Sequence, residues 1–103
     1  MSELGAFDKT VGRIAGAVYG DITHRFRLPP LMLVPGITFK IRKVLERIED
    51  PRMLSNEQKA QLAKDIQIAV IPVLFTYEIE SDIIEQVGPV IESSAYKALM
   101  EEQ

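Results

Sequence analysis

The sequence predicts an all-α fold, a compact bundle of four or five helices joined in one place by an extended, proline-rich connection. Three observations carry that expectation. Large apolar residues recur at helical spacing over most of the chain. Helix-start and helix-stop signals divide those stretches. No internal repeat, low-complexity tract or interdomain linker interrupts the 103 residues. A chain of this length is read as a single domain spanning residues 1–103.

The first helix is written between Leu4 and Ile22. Leu4, Phe7, Val11, Ile14, Val18 and Ile22 are separated by 3, 4, 3, 4 and 4 residues, so they form one seam. Gly12, Gly16 and Gly20 repeat every four residues on a second face. Each helical glycine costs about 1 kcal/mol relative to alanine, so this helix needs compensation from close packing. Faces with a small residue every fourth position let helix backbones approach closely. The same stripe is compatible with packing inside the monomer, with packing against another chain, or with irregular backbone.

Residues 21–36 read as the irregular connection. Leu28-Pro29-Pro30 favours extended or polyproline geometry, and Pro35-Gly36 is a turn signal. Leu28, Leu31, Met32, Leu33 and Val34 are too apolar for a solvated loop. Residues 28–39, ending at Phe39, are therefore expected to lie as an arm in a groove of this chain or of a partner. A second helix follows over 37–49, with Ile37, Ile41, Val44, Leu45 and Ile48 on one side, and Asp50-Pro51 ends it.

Ser55-Asn56-Glu57-Gln58 is a capping box that opens a third helix. Between Ile66 and Phe75 only Gln67 and Pro72 interrupt the apolar run, which suggests burial nearly all round. Five β-branched residues there also permit a strand. The helical phase, continuing to Ile83, Val87 and Ile91, decides for helix. Pro72 is expected to kink this helix or start another, and Gly88-Pro89 to make a second break before a short last helix.

Charge is unevenly divided. Up to Arg52 there are nine Lys/Arg against six Asp/Glu, and from Met53 onward three against nine. Arg25, Arg27, Lys40, Arg42, Lys43 and Arg47, with His24, form a basic segment opposed only by Glu46. Such a segment fits an anionic partner: a membrane surface, nucleic acid or an acidic protein. It equally fits a solvated face that complements the acidic second half. Scarce aromatics and net charge −3 make nucleic acid the weaker candidate. Glu78, Asp82 and Glu85 lie on one helical face, where a hard cation is conceivable. No metal site is expected, because the cluster reads as a solvated face.

Catalytic signals are missing. Cysteine is absent, His24 is the sole histidine, and no serine has a nucleophile-elbow context. No nucleotide-binding glycine loop or zinc-protease motif occurs. No cofactor or small-molecule substrate is expected, and the chain reads as a non-enzyme. The first residues lack the charged and apolar regions of a secretory signal. The longest nearly uncharged run, 66–77, is 12 residues, short of the roughly 20 that span a bilayer. The expected role is a structural or accessory subunit, cytoplasmic or within a soluble assembly. Its partner is protein, either a second copy or another subunit. The expected interface is Val11, Gly12, Ile14, Gly16, Val18 and Gly20 on the first helix, with Leu28, Leu31, Met32, Leu33 and Phe39 on the arm. The alternative is a peripheral membrane-surface or nucleic-acid-binding protein that uses the basic segment 24–47.

Overall fold

A computed structural model describes residues 3–28 and 30–101, apart from the side chains of residues 3, 4, 30 and 31. Four helices follow in order: α1 (Glu3–Phe26), α2 (Pro30–Leu45), α3 (Asn56–Thr76) and α4 (Ser81–Met100). A single 3₁₀ turn, Pro51–Met53, lies between α2 and α3. Among the described residues there is no strand, so 66–75 is helical.

The apolar seam of α1 is buried as its spacing requires. Val11, Ile14, Val18 and Ile22 are each 1% exposed or less. The helix continues past Asp21 because the same phase carries on to Phe26, which packs against the core. It ends at Arg27, whose φ is 53° and whose N–H donates to the Thr23 carbonyl at 2.9 Å. That is a left-handed C-terminal cap with arginine where glycine is usual.

The expected extended connection over 21–36 is not found: α1 runs to Phe26 and α2 begins at Pro30. Leu28, between the two helices, is buried. Proline suits the first helical position, where its missing N–H is not needed. Pro35 and Gly36 lie inside α2 rather than in a turn. Leu33, Ile37, Ile41 and Val44 keep one buried phase through them, and that burial outweighs the local breaker. The helix then stops at Leu45, four residues before the expected end.

Asp50 accepts hydrogen bonds from the Arg52 backbone at 3.0 Å and from its guanidinium at 3.1 Å, fixing the 3₁₀ turn. The capping box of α3 forms in full: Gln58 N–H donates to Ser55 Oγ at 3.1 Å, and Ser55 N–H to Gln58 Oε1 at 2.8 Å. Helix α3 then runs unbroken through Pro72, and α4 runs unbroken through Gly88-Pro89. The real break is at 77–80. There Glu78, at φ 60°, donates its N–H to the Phe75 carbonyl, and Ile79 donates to Leu74. This is the paired-bond Schellman arrangement, closed by Ile79 packing back onto the core.

Helix α1 packs on α2 and α4, and α3 packs on the same two. The chain reverses between α1 and α2 and again at the 77–80 turn. Gly36, early in α2, lies against Val73, late in α3, so these helices also run antiparallel. The core is one continuous cluster drawn from all four helices. Across α1 and α4, Ser94 hydroxyl donates to the Asp21 carboxylate.

Candidate interaction surfaces

The glycine stripe of α1 faces outward. A Cβ built on Gly5, Gly12, Gly16 or Gly20 meets nothing within 4 Å, so these glycines do not serve close packing inside the monomer. Val11, Ile14 and Val18, expected beside them at an interface, are instead core residues. Their seam and the stripe lie on different sides of the helix, which a 3.6-residue turn requires. The glycines that do permit close approach are Gly36 and Gly88. A Cβ at 36 would stand 2.9 Å from Val73 Cγ1, and one at 88 would stand 2.7 Å from Gln67 Nε2.

The expected apolar arm divides in the same way. Leu28 and Leu33 point into the core and are unavailable to a partner. The side chain of Leu31 lies outside the described residues. Met32 and Phe39 are 52% and 54% exposed. They stand with Pro35 at positions i, i+3 and i+7 on the outer side of α2.

Helix α3 repeats the pattern. Ile68, Pro72 and Phe75, at i, i+4 and i+7, are exposed on its outer side, Ile68 at 69%. The expected all-round burial of this run is therefore wrong: the core takes Ile66, Val70, Val73 and Leu74 and leaves the opposite face open. With Gly36 opposite Val73 and about 1.5 Å of rise per residue, Met32 falls near the level of Phe75 and Tyr77, and Phe39 near that of Ile68. Neither 28–39 nor 66–77 contains a charged residue. The outer sides of two adjacent helices thus present apolar surface, with Lys43 over Phe39 and Lys64 before Ile68 at one end. The sequence signalled only the α2 half of it. The α3 half was hidden because an uninterrupted apolar run gives no sign of which residues face out.

The basic segment is not one surface. Arg25 and Arg27 lie at the α1–α2 link, while Lys40, Arg42, Lys43 and Arg47 lie toward the far end of α2, roughly 18 Å along the helix. Arg42 is engaged by Asp8 at 2.6 Å and stacks over the Phe7 ring at 5.3 Å. Lys43 stands 3.8 Å from Glu46 and 5.5 Å above the Phe39 ring. Both carboxylate partners belong to the basic half of the chain.

Glu78 sits in the turn before α4, so it does not share a helical face with Asp82 and Glu85. Among the described residues, no group of three or more His, Asp or Glu is placed to hold a metal. His24 is exposed near the end of α1. An open cleft of about 850 Å³ runs between the first turns of α1, the 49–52 segment and Glu101. Its charges are mixed, Lys9, Arg13 and Arg52 with Glu49, Asp50 and Glu101, and Asp50 is already held by Arg52.

The fold and these surfaces define a four-helix bundle with an open apolar face on α2 and α3. No protein-family model, curated protein or solved structure matches the chain. Among the described residues, no helix is long and apolar enough to cross a membrane.

Proposed function

We propose that this chain is a non-catalytic accessory subunit that packs into a larger, cytoplasmic protein assembly. The contact is made by the outer face of α2 and α3, with the open glycine ridge of α1 as a second, backbone-level contact. The observation that carries the reading is the exposed apolar set Met32, Pro35, Phe39, Ile68, Pro72 and Phe75 on the outer sides of α2 and α3, bordered by Lys43 over the Phe39 ring and by Lys64 one turn before Ile68. Single exposed apolar residues are ordinary, but a grouped set on adjacent helices is the usual mark of an interaction site. Aromatic residues and methionine, with charge excluded, are also the composition of interface centres.

The experiment is photo-crosslinking in the cells that produce the protein. Benzoylphenylalanine replaces Phe39 or Phe75, and Glu85 on the exposed side of α4 serves as control. Protein adducts from 39 and 75, and few from 85, are expected. An absence of protein adducts at 39 and 75, or equal yield at all three, overturns the proposal.

A further inference from the structure

Resting on that reading, we infer that the partner at this face is a second copy of the chain, in a two-fold pairing that sets α2 of each copy against α3 of the other. Charge around the apolar face is divided by side. Along α2 the flanking charges are cations: Arg25 and Arg27 at the link, then Lys40 and Lys43 beyond Phe39. Along α3 they are anions at one end, Glu78 and Glu80 beyond Tyr77, and balanced at the other, where exposed Lys64 adjoins half-buried Asp65. The α1–α2 link and the 77–80 turn lie at the same end of the bundle, because successive helices reverse direction.

A two-fold axis running along the helices keeps like ends together and exchanges sides. Arg25 and Arg27 then come to the end that carries Glu78 and Glu80 of the other copy, while Lys43, held by Glu46, comes to the level of the Lys64–Asp65 pair. An axis across the helices would instead set α2 on α2, basic edge against basic edge, which charge repulsion disfavours. Two-fold interfaces must be self-complementary, and this face is so in its apolar centre and at the end of its rim that carries Arg25, Arg27, Glu78 and Glu80. An anionic lipid surface is a poorer match, since it rewards cations on every side and here meets carboxylates along α3.

The test is sedimentation equilibrium of the purified full chain from about 1 to 500 µM at low salt. The mass is expected to rise with concentration from 11.6 kDa toward twice that value. Ile68→Glu, exposed and therefore compatible with folding, should hold the chain at monomer mass with its helical circular dichroism unchanged. Arg27→Glu should weaken association about tenfold, and the exchange Arg27→Glu/Glu78→Arg should restore it. A monomer throughout the range overturns self-pairing, as does an Ile68→Glu variant that associates normally or a charge exchange that restores nothing. If that monomer still gives adducts with other proteins at Phe75, self-pairing fails while the accessory-subunit reading stands. If it sediments with phosphatidylserine vesicles, the face belongs to a lipid surface and the self-pairing is overturned in that way.

Discussion

Gly36 of α2 lies directly against Val73 of α3, so close that a β-carbon at position 36 would stand 2.9 Å from Val73 Cγ1. Val73 is branched and 6% exposed, so it has little room to retreat. Gly36→Ala is expected to lower stability by about 1–3 kcal/mol through overpacking. Gly12→Ala and Gly16→Ala face open space and should each raise it by about 0.5–1 kcal/mol. Urea unfolding of the three variants checks both signs. A stabilised Gly36→Ala would mean that α2 and α3 lie further apart than described.

Glu78 and Arg27 each hold a left-handed backbone at a helix end, with φ of 60° and 53°. That conformation costs an L-residue about 1–2 kcal/mol relative to glycine. Glu78→Gly and Arg27→Gly are each expected to raise stability by about 1 kcal/mol, while Glu78→Ala gains nothing comparable. Thermal or urea midpoints decide. Equal effects of Gly and Ala at position 78 would show that the turn is not left-handed.

Asp50 gives the fold a small acid sensitivity. The Arg52 side chain, then the Arg52 backbone N–H, hold its carboxyl below the usual 3.8. Because the folded-state value is the lower one, its contribution is complete above about pH 3.8 and is lost as pH falls through the folded-state value. Asp50→Asn should therefore shift the urea midpoint at pH 6 and shift it less at pH 2.5. An equal shift at both would place the effect elsewhere.

How far the sequence exposed this structure depended on which signal was read. Periodicity located the core of α1 and α3, and the Ser55 capping box located a helix start to the residue. Proline and glycine misled. Pro35-Gly36 and Gly88-Pro89 look like turns, yet both lie inside helices where Leu33, Ile37, Val87 and Ile91 keep one buried phase. Both of these glycines are packing residues. The true stops, Arg27 and Glu78, carry no local mark, because their left-handed backbone is imposed by the link and the core contacts that follow. For the candidate face, Met32 and Phe39 were legible as apolar residues in an unusual setting. Ile68 and Phe75 were not, since only the positions of α2 and α4 decide which side of α3 stays open.

The most direct measurement is hydroxyl-radical oxidation of Met32 and Met53, compared between the producing cells and the dilute purified chain. The two methionines are 52% and 80% exposed, and Met53 lies outside the apolar 28–39 and 66–77 segments, in the 3₁₀ turn that links α2 to α3. A covered face predicts that Met32 is oxidised in the dilute protein but protected in the cell, while Met53 is oxidised in both. Equal oxidation of Met32 in the two settings would contradict the claim that this surface is a subunit contact.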